Sequence, residues 1–156
     1  MIMHDVDDVI GDYSGLACKV LDYCAIMKST VDAAKDADFS IESWAPLAEL
    51  IACKEFERVG NFKEVMGWDE YVLFLTNWAR SSDWECSFKR VTQSGNLVFL
   101  ELEERSSVGG HKSIVNSATI YEFDNAGKIR HLNVYLQMPL PDPAMLGGYT
   151  EFKTAD

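Results

Sequence analysis

The chain has 156 residues, 47% of them hydrophobic and 12% aromatic, with a formal net charge of -11. This length and composition suit one domain with a sizeable core and exclude a disordered or low-complexity chain. The acidity argues against nucleic acid, whose phosphates need a basic face, and against an anionic membrane surface.

The stretch Met1 to Asp12 is acidic and has no apolar run, so it does not read as a signal peptide. No stretch approaches the roughly 20 apolar residues of a membrane span. Cys18, Cys24, Cys53 and Cys86 form no C-x-x-C pair, and only His4, His111 and His131 could join them as zinc ligands. The cysteines read as small buried hydrophobes in a reducing compartment. The expectation is a cytoplasmic protein with no metal and no cofactor.

Leu16, Val20, Cys24, Met27 and Val31 recur at steps of three and four, which predicts a first helix with Ser14 as its cap and an end in the stretch from Ala33 to Asp38. A second helix is predicted from Ser40 or Ser43, with Pro46 in its first turn and Leu47, Leu50 and Ile51 buried. Lys54 to Val59 reads as a short strand, and Gly60, Asn61 and Gly67 bound an irregular link. Asp69 is the expected N-cap of a third helix, with Val72, Leu75 and either Trp78 or Phe74 packing inward.

The second half reads as strands: Glu85 to Thr92, Leu97 to Ser106 after the turn Ser94-Gly95-Asn96, and Ser113 to Phe123 after the break at Gly109-Gly110. The turn Asp124-Asn125-Ala126-Gly127-Lys128 leads into a last strand, Ile129 to Leu136. The proline- and glycine-containing tail 138–156 reads as an irregular arm, leaving one domain over 1–137. The segment Met138-Pro139-Leu140-Pro141 could close a pocket mouth or pack on a second subunit. Helices followed by antiparallel strands make the fold class α+β.

Strand alternation sorts the candidate functional residues. Val98, Leu100 and Leu102 share the apolar inner face of one strand, and Glu104 continues it. A carboxylate entering an apolar cavity can serve as general acid or base. Arg58 alternates with Phe56, so both could face the same space, where Arg58 would pair with Glu104, grip an acidic substrate or form a rim salt bridge. Ser117, Thr119 and Tyr121 share a face that could hydrogen-bond a ligand oxygen, and Leu132, Val134 and Leu136 would line the cavity beside them. His131 falls on the outer face and His111 in a turn. Trp44 or Phe62 could form a lid, and the remaining large aromatics read mostly as core.

The element order, with Gly67-Trp68-Asp69-Glu70-Tyr71 opening a helix and Asp124 to Leu132 joining the last strands, resembles the nuclear-transport-factor-2-like superfamily over roughly residues 15–137. The nearest resemblance is to SnoaL-like polyketide cyclases, the ketosteroid isomerase group and polyether epoxide-opening cyclases. It implies a cone-shaped fold in which a curved, mostly antiparallel sheet wraps around N-terminal helices and an internal cavity. The isomerase-like general base falls near Arg58, and the isomerase-like oxyanion-hole acid near Thr119. The first-helix tyrosine matches Tyr23 or Tyr13. The limonene-epoxide-hydrolase-like Arg and Asp fall near Leu102 and Glu104, with that pattern's last-strand Asp near Val134. Only Glu104 keeps a carboxylate at such a position.

The expected function is a cofactor-independent isomerase, cyclase or dehydratase of secondary metabolism, acting on an apolar oxygenated metabolite such as a polyketide or terpenoid intermediate. Glu104, Tyr23, Arg58 and Thr119 are its catalytic candidates. Phe56, Leu100, Leu102, Ser117, Tyr121, Leu132, Val134 and Leu136 are its substrate-binding candidates. A homodimer through the outer sheet face is expected. The competing expectation is a non-catalytic ligand-binding or dimerisation module of the same fold.

Overall fold

The computed structural model describes residues 3–139. The arm expected from residue 138 therefore lies outside the described residues from position 140 onward. Helical periodicity in the first half and two-residue alternation in the second sort the chain into two layers. The helices are α1 (Val6–Val9), α2 (Gly15–Asp32), α3 (Ala45–Ala48) and α4 (Trp68–Ser81). The strands are β1 (Glu57–Val59), β2 (Val65–Met66), β3 (Ser82–Ser94), β4 (Leu97–Val108), β5 (His111–Phe123) and β6 (Ile129–Gln137). They form one sheet in the order β2-β1-β6-β5-β4-β3, in which only the β1–β6 pair is parallel.

Several local expectations need correction. Ser14 occupies the N-cap of α2, but its side chain makes no capping bond. The second helix opens as a 3-10 turn, Ile41–Trp44, and the Ser40 backbone N–H donates to Ser43 Oγ at 3.1 Å before α3 begins. The N-cap of α4 is Gly67, and Asp69 sits inside the first turn beside Glu70, where both acids meet the positive end of the helix dipole. The link from Gly60 to Gly67 is not irregular throughout: β2 folds back on β1, with Lys63 at φ 64 in the turn. The short strand is confined to Glu57–Val59. An N-terminal α1 forms in the acidic stretch because Val6 finds cover in the core.

The most consequential shift is at the start of β3. Lys35 donates to the carbonyls of Ala79 at 3.0 Å and Ser82 at 2.9 Å, closing the C-terminus of α4 with a cation. The chain then enters β3 directly at Ser82, ahead of the expected start at Glu85, so Trp84 lies within the strand and faces inward.

The four long strands pair antiparallel over most of their length. A two-residue turn at Gly109-Gly110, with φ of 58 and 84, joins β4 to β5, the geometry that matches strand twist. A register shift between Phe88 and Arg90 marks a bulge that bends β3. The core fills the space between α2, α4 and the inner sheet face, with Val20, Leu21, Leu47, Leu100 and Ile129 at 1% exposure or less. Trp44 is sealed inside it, its indole donating to Thr76 Oγ1 at 3.0 Å. Phe62 is 79% exposed and lines no part of the cavity described below. Neither aromatic is a lid.

Of the cysteines, Cys24 and Cys86 are buried, Cys18 is half-buried and Cys53 is exposed, so the buried-hydrophobe reading fails for Cys53. Cys53 leaves the core because the chain turns outward between the bridge at Ile51 and the start of β1. Among the described residues no helix is long and apolar enough to cross a membrane.

Candidate functional site

A cavity of about 270 Å³ opens between the helices and the inner sheet face. Strand alternation supplies one wall: Leu102 and Glu104 from β4, Ser117, Thr119 and Tyr121 from β5, and Leu132, Val134 and Leu136 from β6. The helices supply the other, with Tyr23, Cys24 and Met27 from α2 and Tyr71, Phe74, Leu75 and Trp78 from α4. Arg58 of β1 and Trp84 of β3 complete the lining.

The structure thus brings together Glu104, Tyr23, Arg58, Thr119, Leu102, Ser117, Tyr121, Leu132, Val134 and Leu136. It leaves out Phe56 and Leu100. Phe56 stacks behind Tyr71 at 5.7 Å, and Leu100 is buried in the core at 1% exposure. Both point inward, Phe56 behind a helix side chain and Leu100 into filled core. Tyr13, the other first-helix tyrosine, packs on Phe88 away from the lining. His131 stands 3.5 Å from Glu57, also outside the lining.

Sequence reasoning missed the roles of Tyr71 and Trp84. Tyr71, Phe74, Leu75 and Trp78 repeat at helical spacing, which was the available signal. Trp84 alternates with Cys86 and Phe88, but its strand membership depends on the abrupt end of α4.

Three tyrosines dominate the floor. The Tyr23 and Tyr71 hydroxyls are 2.7 Å apart, and the Tyr23 and Tyr121 rings meet edge-on at 5.4 Å. Burial raises the pKa of all three phenols above the ordinary value of 10.0. The phenol of Tyr23 is raised further by Tyr71 and Tyr121, against the opposing charge of Arg58. All three stay protonated at neutral pH, so each carries a proton it can donate.

Glu104 is half-buried, and its Oε1 accepts the Trp84 indole N–H at 2.9 Å. Its second oxygen has no hydrogen-bond partner among the described residues. The edge-on packing of Trp78 on Trp84, at 6.3 Å, holds the indole in place. The Arg58 guanidinium lies 5.2 Å from the Tyr71 ring centre and 5.8 Å from that of Phe74. Arg58 pairs with Glu64 at 3.5 Å and not with Glu104. Glu64 is held in turn by the Phe62 backbone N–H at 2.9 Å. Gly60 leaves room for this pair: a Cβ there would fall 1.7 Å from Glu64 Oε1 and 2.8 Å from Arg58 Nη1.

The arrangement offers a carboxylate with one open oxygen, buried neutral phenols and a single cation, all within largely apolar walls. Such a set can move a proton at Glu104 while donors hold a substrate oxygen. Among the described residues no group of three His, Cys, Asp or Glu side chains could hold a metal ion.

No family model matches the chain, and no curated protein is similar to it in sequence. Solved structures are similar in fold. An NTF2-like protein of unknown function from Exiguobacterium has a TM-score of 0.58 at 15% identity, over 74% of this chain and 98% of that one. A Jannaschia protein assigned provisionally as a SnoaL-like polyketide cyclase has a TM-score of 0.57 at 13% identity, over 80% and 90%. An LEH-like epoxide hydrolase of M. tuberculosis has a TM-score of 0.53 at 15% identity, over 72% and 84%. At such identities the likeness reaches the architecture: the chain has the nuclear-transport-factor-2-like fold, an α+β cone with an open, mixed sheet around N-terminal helices.

Proposed function

We propose that this protein is a cofactor-independent small-molecule enzyme, an isomerase, cyclase or dehydratase, acting on an apolar oxygenated metabolite of the polyketide or terpenoid kind. The observation that carries this reading is Glu104, a carboxylate on an apolar wall with one oxygen tied to Trp84 and the other open. Glu104 takes a proton from substrate carbon and returns it, or gives one to a leaving hydroxyl. Thr119, whose hydroxyl makes no hydrogen bond among the described residues, donates to the substrate carbonyl oxygen from the sheet wall. The surrounding leucines and aromatics make the walls largely apolar, which strengthens each polar contact.

A cytoplasmic location belongs to the same proposal, supported by four free cysteines among the described residues. A homodimer through the outer sheet face is part of it too. Phe99, Ile114 and Tyr135 are exposed on that face at 36%, 58% and 56%.

The test is deuterium incorporation from D2O into small cyclic ketones, followed by NMR. Glu104→Gln should keep the fold and lose exchange about 100- to 10,000-fold, the usual contribution of a general acid or base. An unchanged rate in that variant would remove the reading.

A second reading, ligand binding without turnover, is favoured by one observation: the inner end of β1 presents the cation of Arg58 to the cavity rather than a carboxylate. It expects ligand affinity with no exchange in either protein.

A further inference from the structure

The polar groups of the cavity are unevenly distributed. Arg58, Tyr71 and Tyr23 form a contiguous cluster of donors, while the carboxylate, Glu104, is tied to Trp84. The charge of Arg58 acts on Tyr23 and Tyr71, that of Glu104 on Tyr71 and Tyr121. Tyr71 thus feels both the cation and the anion.

The donor cluster has more protons than acceptors. A guanidinium carries five N–H groups. Glu64 accepts from Arg58 over a long 3.5 Å contact, and its other oxygen is occupied by the Phe62 backbone. The Tyr23 and Tyr71 hydroxyls carry two protons between them. Their mutual bond at 2.7 Å uses one, leaving one to donate. Desolvation keeps both phenols protonated. The Arg58 side chain is only 14% exposed, so water satisfies few of its donors. A largely buried, planar fork beside a spare phenolic O–H matches a carboxylate, which accepts from both at once.

Volume limits the rest of the ligand. At about 270 Å³ the cavity exceeds the roughly 150 Å³ that accepts benzene, yet falls below the range typical of drug-sized ligands. That suits a one- or two-ring body and is tight for four fused rings.

We infer that the ligand is a small one- or two-ring monocarboxylate. Its carboxylate sits on Arg58 and the Tyr23–Tyr71 pair, and its apolar body lies against Leu102, Leu132 and Val134. This rests on the reading of the cavity as a small-molecule site and narrows its substrate class.

Isothermal titration of the whole chain with matched probes tests it: benzoate against benzamide, and 1-naphthoate against 1-naphthamide. The acid should bind about tenfold or more tighter than its amide, the scale of a charge-assisted contact. Arg58→Met should abolish that preference and Arg58→Lys retain part of it, with circular dichroism confirming that both fold. Asp124→Ala, in the last turn and outside the cavity lining, should leave the preference intact. Equal affinity for acid and amide, no binding of either at millimolar probe, or a preference that survives Arg58→Met would each overturn the inference. A carboxylate preference that depends on Arg58, found in a protein without exchange activity, would support this inference while sinking the acid–base reading.

Discussion

Trp84 and Glu104 meet diagonally across β3 and β4. The indole Nε1–H donates to Oε1 at 2.9 Å, although Trp84 pairs in register with Ser106 and Glu104 with Cys86. The bond fixes one carboxylate oxygen and leaves the other without a hydrogen-bond partner among the described residues.

If this contact positions the acid–base group, Trp84→Phe should lower kcat about tenfold and leave KM nearly unchanged. Substrate contacts survive in the variant while the carboxylate loses its fixed rotamer. Steady-state kinetics of the exchange reaction supply the check. A rise in KM with unchanged kcat would show that Trp84 only packs against the ligand.

The buried phenols make stability fall at alkaline pH. Tyr23, Tyr71 and Tyr121 have folded pKa values above the ordinary 10.0, so the folded state holds their protons more tightly than the unfolded chain does. Their contribution is fully present below pH 10 and is lost as pH rises from there through the folded values. Urea midpoints at pH 8, 10 and 11 should fall across the last interval, and phenolate absorbance of the folded protein should account for fewer than all six tyrosines at pH 11. A midpoint that stays flat to pH 11 would contradict the burial argument.

Filling the cavity separates ligand binding from folding. Thr119 lines it, is half-buried, and its hydroxyl makes no hydrogen bond among the described residues. Thr119→Met should keep stability within about 1 kcal/mol, because a flexible apolar side chain enters existing space. Ligand-induced shifts in Tm should disappear. Retained shifts would mean that the ligand sits elsewhere.

A control lies in the last turn. Asp124 Oδ1 accepts the backbone N–H groups of Ala126 and Lys128, each at 2.9 Å. Asp124→Ala should cost about 1–2 kcal/mol in chemical denaturation, since the turn is solvent-exposed and water replaces part of the loss. Ligand affinity should not change, because the turn contributes nothing to the cavity lining.

Much of the site was legible along the strands. The alternation Val98, Leu100, Leu102, Glu104 places a carboxylate on an inner face, and the same rule sorts Ser117, Thr119 and Tyr121 from their outward neighbours. Phe56 and Leu100 show where the rule stops. It assigns a face, but that face is shared between filled core and empty cavity, and the helix side chains opposite decide which is which. Tyr71 stands among several aromatics at helical spacing. Its partnership with Tyr23, 48 residues away, depends on how α4 packs against α2.

By itself the sequence determined the α+β order, the inner and outer faces of the long strands, and the single acid on an apolar face. These follow from periodicities of 3.6 and 2 that local backbone geometry imposes. The tertiary structure alone decided that the cavity holds about 270 Å³, that Trp84 reaches Glu104, that Arg58 turns to Glu64, and that Trp44 and Phe62 close nothing. Each of those outcomes depends on side chains from distant segments competing for the same space, and close packing resolves that competition only when the whole chain has folded.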